Sequence, residues 1–166
     1  MKHFSHLRNG LWKPTFTWVE TLEECADRIN FWHEDYPTRV PATERAIRDM
    51  QIANPLAVST PIHIGNRPLL EAHRGMFGDQ PFAGEWRQVG VRIGPHRPPN
   101  PRQVHRLMDK LATRSRITGL GTLKDWYHDF ETIHPFQDGN GRVGGVTVAV
   151  LARKFRPEKG WLAPGQ

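Results

Sequence analysis

The chain lacks several features that would tie it to common classes. Cys25 is its single cysteine among 166 residues. One thiol forms no intramolecular disulfide and cannot build a cysteine metal cluster. That usage fits a reducing compartment. The longest small-and-apolar run, VGGVTVAVLA over Val143–Ala152, falls well short of the roughly 20 residues a membrane-crossing helix needs. The opening MKHFSHLRNG has no apolar stretch of the secretory kind. No G-x-x-x-x-G-K-[ST] loop is present, which removes the support for a P-loop ATPase. There is no Lys/Arg block either, although the net charge is +6 and the pI is near 10.0. The basic residues are scattered, and aromatics do not alternate with them as on a single-strand stacking platform. These absences give a soluble, cytoplasmic protein with neither membrane nor nucleic acid as a partner. A signal read by a dedicated secretion machine, as for a secreted effector, would leave no such mark.

What is present suits one domain with an ordinary core, including six Trp. Thr21-Leu-Glu-Glu24 resembles a capping box, and Leu22, Cys25, Ala26, Ile29 and Trp32 follow helical spacing up to Tyr36-Pro37. A second helix is expected from about Thr43 to Asn54-Pro55. Residues 56–67 read as loop or short strand. Pro68 suits the first turn of a third helix that Gly78 ends. Asn100-Pro101 reads as an N-cap with proline behind it, opening a helix striped by Val104, Leu107, Met108 and Leu111. Another carries Leu120, Leu123, Tyr127 and Phe130, and a last, buried one carries Val146, Val150, Leu151 and Phe155. Between them, Val89, Val91 and Ile93 alternate with Gly90 and Arg92, which predicts a short β-hairpin or extended flap over residues 83–93.

The chemistry concentrates in His134-Pro-Phe-Gln-Asp-Gly-Asn-Gly-Arg142. Pro135 disfavours helix at His134, so one helix ends near Ile133. Another begins near Asn140. A glycine-bearing turn at a helix N-terminus presents backbone N–H groups and the positive end of the dipole, which suits an anion. Arg142 can add a bidentate phosphate contact. Asp138 is a lone carboxylate beside that anion site, a pattern that Mg²⁺ accepts together with phosphate oxygens. The imidazole of His134 is of the type that takes a proton from an attacking hydroxyl. Phe136, between the polar positions, is expected in the core. Each feature alone is more often a turn or a packing residue; it is their crowding into nine residues that points to a site. His3 and His6 are read as exposed, and His73 and His128 as packing or surface groups.

This stretch resembles the signature of the Fic domains, His-Pro-Phe-x-Asp/Glu-Gly-Asn-Gly-Arg-x-x-Arg, at every specified position through Arg142. The resemblance covers about residues 67–155, with 1–66 as an N-terminal helical extension of a single domain over 1–166. It implies a mainly α fold, a helical bundle with a small β-hairpin flap beside the active-site loop. It implies a protein nucleotidyltransferase that moves AMP from ATP, or another nucleotide, to a Ser, Thr or Tyr hydroxyl of a target protein. In that reading His134 is the base and Asp138 holds Mg²⁺. Gly139, Asn140, Gly141 and Arg142 bind phosphate, and the flap residues Glu85, Trp86, Arg87, Gln88 and Val89 align the target.

The signature closes with a second arginine that contacts the terminal phosphate of ATP; this chain has Gly145 there. Losing such a charge-assisted contact removes roughly 1.5–3 kcal/mol. Relatives without that arginine act in a kinase-like way or transfer phosphocholine, but they depart elsewhere in the motif. The intact Gly-Asn-Gly here favours nucleotidyl transfer. Kinase-like transfer and an inactive binding protein are the alternatives, and restoring Gly145→Arg separates them. Many Fic proteins also carry an inhibitory helix of pattern Ser/Thr-x-x-x-Glu-Gly/Asn whose Glu pairs with the second arginine. No Glu here has Ser or Thr four residues earlier, so a regulator is expected as a separate, antitoxin-like chain, if there is one.

Overall fold

The computed structural model describes residues 15–53 and 62–165. The HxxH histidines at the start, the Asn54-Pro55 stop and residues 56–61 lie outside these. The described residues form strand β1 (Phe16–Val19), helices α1 (Leu22–Asn30), α2 (Val40–Ala53), α3 (Asn66–Phe77), α4 (Pro101–Arg114), α5 (Leu120–Ile133) and α6 (Asn140–Phe155), a 3-10 turn (Pro157–Lys159) and strand β2 (Trp161–Pro164). The fold is therefore mainly α with one small antiparallel sheet. No helix among the described residues is long and apolar enough to cross a membrane.

Local signals explain most boundaries. Thr21 caps α1, its hydroxyl accepting from Glu24 N–H at 3.1 Å. Asn100 caps α4 by accepting from Arg102 N–H at 2.9 Å, with Pro101 in the first turn. Helix α1 ends at Asn30, before the expected Tyr36-Pro37, and the Asn30 amide donates to Ala26 O and Thr43 Oγ1. Helix α2 starts at Val40 rather than Thr43.

Helix α6 is the centre of the molecule, buried at nearly every residue from Asn140 to Ala152. Two glycines inside a helix cost roughly 1 kcal/mol each against alanine. Here they let neighbours close in: a Cβ on Gly144 would meet Tyr127 Cε2 at 2.8 Å, and one on Gly145 would meet Ile29 Cγ1 at 3.1 Å. Helices α1, α2, α3 and α5 all pack on α6.

The small sheet is not where the alternation pointed. It joins β1 to β2 in antiparallel register, Phe16 opposite Pro164 and Val19 opposite Trp161. Of the two forms expected over 83–93, hairpin or extended flap, the hairpin corrects to the extended form, whose ladder contact is the isolated bridge between Ile93 and His96. Its backbone bonds go elsewhere: Arg87 N–H donates to Pro135 O at 2.8 Å. The segment is thus fastened to the end of α5 instead of to a partner strand.

Candidate active site

The residues of the motif meet in one loop between α5 and α6, and each is held differently. His134 is the C-cap of α5, in the left-handed region at φ 52°, with its N–H on Phe130 O at 2.9 Å. A non-glycine residue there is strained and must be held by its surroundings. Arg87 supplies the hold. Its guanidinium donates to His134 O at 2.7 Å, Ile133 O at 3.2 Å, Pro99 O at 2.6 Å and Val89 O at 3.0 Å. It thereby satisfies carbonyls that the end of a helix leaves without partners.

The imidazole of His134 turns Nδ1 toward Glu131, 3.3 Å from its carbonyl oxygen and 3.6 Å from carboxylate Oε2. Both neighbours accept, so Nδ1 carries the proton and Nε2 keeps the lone pair a base needs. Glu131 is only 3% exposed, and its Oε1 has no hydrogen-bond partner among the described residues. Behind it, burial and the nearby Glu131 push the Tyr127 hydroxyl well above its usual range.

The rest of the loop is locked from inside. Phe136 is fully buried, as expected. Asn140 accepts from Phe136 N–H and donates to Phe136 O, both at 2.8 Å. Its side chain therefore closes the loop and is not free for a phosphate. Gly139 needs its φ of 87°, and a Cβ there would overlap the Phe77 ring. Asp138 is exposed, and its carboxylate accepts from Gly139 N–H at 2.7 Å. Gly141 is open on the first turn of α6.

His73 is a residue the motif does not announce. It lies flat on Phe136, centroids 4.0 Å apart at 4°, and stacks on Phe77 at 4.7 Å. Its Nδ1 accepts from Gly84 N–H at 2.9 Å, so Nε2 holds the proton and donates to Asp138 O at 2.8 Å. Burial holds its imidazolium form down, which keeps the ring neutral. One neutral ring thus ties α3, the extended segment and the loop together.

Arg142 stands in the first turn of α6 with its guanidinium over Phe77 at 4.6 Å and Asp35 Oδ1 at 3.4 Å from Nη2. Its Nε and Nη1 are buried and have no partner among the described residues. That is a fixed cation with donors to spare at a helix N-terminus. For a divalent cation, the described residues hold no group of three or more His, Cys, Asp or Glu. The donor set fits Mg²⁺ shared between one carboxylate, Asp138, and ligand phosphates.

In the extended segment, Glu85, Gln88 and Val89 are exposed and Trp86 is half-buried against Phe136, 5.0 Å between centroids. Arg87 differs from the expectation of a target contact: it is 3% exposed and spent on carbonyls. A lone arginine between aromatic and polar neighbours gives no sequence signal of that role.

The profile of the Fic/DOC family matches residues 65–152. A protein adenylyltransferase Fic of Drosophila erecta is 32% identical over 98 residues, covering 54% of this chain and 20% of the relative. That of Culex quinquefasciatus is 32% identical over 110 residues, covering 61% and 22%. The chain thus spans about a fifth of the length of these relatives. Among solved structures, a Fic family protein from Desulfovibrio desulfuricans G20 superposes with a TM-score of 0.51 at 26% identity, covering 81% of this chain and 43% of that one. A Fic domain containing signaling protein from Bacteroides thetaiotaomicron VPI-5482 superposes at 0.54 and 18% identity, covering 69% and 47%, which is a likeness of fold. With a profile that covers more than half of its length and a motif folded as one loop, the chain belongs to the Fic/DOC family.

Proposed function

We propose that the chain transfers AMP from ATP to a hydroxyl of a target protein. The observation that carries this is the pairing, across one loop, of a base with its lone pair on Nε2 and a buried arginine with unused donors. His134 Nε2 would take the proton of a Ser, Thr or Tyr hydroxyl. The freed oxygen attacks the α-phosphorus, a P–O bond to it forms, and the bond to pyrophosphate breaks. Gly141 and the backbone N–H groups of the first turn of α6 would face the phosphates, Gly139 shaping the turn before them, and Arg142 would offset their charge. Asn140 acts by fixing the loop. Asp138 would hold Mg²⁺, which when bound neutralises phosphate charge and orients the leaving pyrophosphate. The exposed edge at Glu85, Gln88 and Val89, backed by Trp86, would align the target as an added strand. The names of the adenylyltransferase relatives support this donor and this class of acceptor.

The substrate is then a protein with an exposed hydroxyl in the cytoplasm, and a separate antitoxin-like chain is the inhibitor this reading proposes. A second reading, kinase-like transfer of the γ-phosphate, is favoured by one observation. The position of the second signature arginine is glycine, and Ile29 packs against it, so the terminal phosphate lacks its usual partner.

Label transfer in a cell lysate tests both. ATP labelled at the α- or the γ-phosphate is supplied with Mg²⁺, and His134→Ala is the control. Protein labelled from the α-position, and unlabelled with the variant, is the expected result. Label from the γ-position alone would establish the second reading, and label from neither would remove ATP as donor.

A further inference from the structure

Two guanidiniums share one aromatic ring beside the start of α6. Arg39 and Arg142 each place Cζ 4.6 Å from the Phe77 centroid. One carboxylate bridges them: Asp35 takes Arg39 Nε on Oδ2 and lies 3.4 Å from Arg142 Nη2 through Oδ1. Phe77 also backs Gly139, where a Cβ would overlap its ring. The two cations, the carboxylate and the glycine turn are therefore one cluster.

Its donors are only partly used. The Arg142 side chain is 3% exposed, yet its Nε and Nη1 have no partner among the described residues. A buried guanidinium with idle N–H groups is costly until an acceptor arrives. A carboxylate offers two oxygens and one charge. A phosphate chain offers more of both and suits the planar fork of arginine. Arg39 is held in place: Nη1 donates to Met76 O in the last turn of α3, and Asp79 lies 3.9 Å away. Asp35 is the movable member, in the turn between α1 and α2 with a side chain 38% exposed. Partial burial pushes its carboxyl up, but the Arg39 hydrogen bond and the Arg142 charge outweigh that and hold it below its usual range.

We propose that Arg39 is a second phosphate-binding cation of this site, and that Asp35 is a place-holder which the polyphosphate of a nucleotide displaces. The inference rests on the nucleotide reading above and adds to it a residue outside the motif. Arg39 and Arg142 would then grip the same phosphate chain from two elements, the α1–α2 turn and the first turn of α6.

Calorimetric titration with ATP and Mg²⁺, and separately with inorganic pyrophosphate, tests it in a His134→Ala background that cannot turn ATP over. Arg39→Gln is expected to weaken both ligands roughly tenfold or more, the loss of a charge-assisted contact. Asp35→Asn removes the competitor and is expected to tighten both. Unchanged binding with Arg39→Gln, or weaker binding with Asp35→Asn, would overturn the proposal. Weakening confined to ATP would move Arg39 off the phosphates and overturn it as well. If the parent binds neither ligand, the nucleotide reading itself falls, an outcome distinct from all of these. Should Arg39→Gln fail to fold, Arg39→Lys and Asp35→Asn carry the test. The lysine keeps the charge without the fork and is expected to weaken binding, by less than the glutamine.

Discussion

Gly145 lies against Ile29: a Cβ on the glycine would stand 3.1 Å from Cγ1 and 3.4 Å from Cγ2 of that isoleucine. Helix α1 thus fills the space beside the position at which the signature has its second arginine. Gly145→Arg alone must push Ile29 aside, and overpacking a closed core costs roughly 1–3 kcal/mol. The single variant is expected to melt several degrees below the parent. Adding Ile29→Ala is expected to recover much of that loss, because the two side chains compete for one volume. Thermal unfolding of the parent, both single variants and the double variant measures the coupling. Additive losses would show that the contact does not limit residue 145. The double variant, and not Gly145→Arg by itself, is therefore the one in which a restored ATP contact can be looked for.

Glu131 offers a sharper probe of the base than His134 does. Its carboxylate lies 3.6 Å from Nδ1 and its side chain is 3% exposed. A negative charge there stabilises the imidazolium that forms when the proton is taken. Glu131→Gln keeps the shape and removes the charge, so kcat is expected to fall roughly tenfold to a hundredfold, within the range of general-base effects, while KM for ATP moves little. An unchanged kcat in Glu131→Gln would show that Glu131 only packs.

Much of the fold was legible because its signals are local. Asn100-Pro101 starts α4 and Pro135 stops α5, since capping and the restriction before proline act within a few residues. The loop from His134 to Arg142 was legible for the same reason. The sheet was not: Phe16–Val19 and Trp161–Pro164 pair across almost the whole chain, and neither strand carries a marker of its partner. The alternation of Val89, Val91 and Ile93 misled because period-2 patterning reports an extended backbone, not what it bonds to. His73, Arg39 and Asp35 carry no motif, and only the fold brings them to the loop, whereas Glu131 stands one helical turn before His134 in the sequence.

Arg87 and Val89 separate anchoring from recognition within the same short segment. Arg87 is buried on four carbonyls, whereas Val89 is 46% exposed. Arg87→Ala leaves those acceptors without their donor and is expected to cost about 2–4 kcal/mol, read from urea unfolding. Val89→Ala is expected to leave stability within about 0.5 kcal/mol and to reduce labelling of the target. Equal stability of the two variants would contradict the clamp assigned to Arg87.

Cys25 gives a test of the core that owes nothing to the reaction. Its thiol is fully buried in α1, against Leu162 O, and burial pushes it up to about 12 from a usual value of 9.0. The thiolate is the reactive form, so native protein at pH 8 is expected to resist a disulfide reagent that titrates one thiol after denaturation. The sign of the linkage follows. The unfolded thiol loses its proton near 9 while the folded one keeps it, so the folded state binds more protons between 9 and 12. Stability is therefore complete below pH 9 and falls as pH rises through that window. Other groups titrate there too, so the measurement is the difference between the parent and Cys25→Ala in urea unfolding at stepped pH. The parent's advantage is expected to shrink above pH 9. Rapid labelling of the native thiol at pH 8, or an advantage that stays level to pH 11, would show that α1 opens readily or that the thiol is not held in its neutral form.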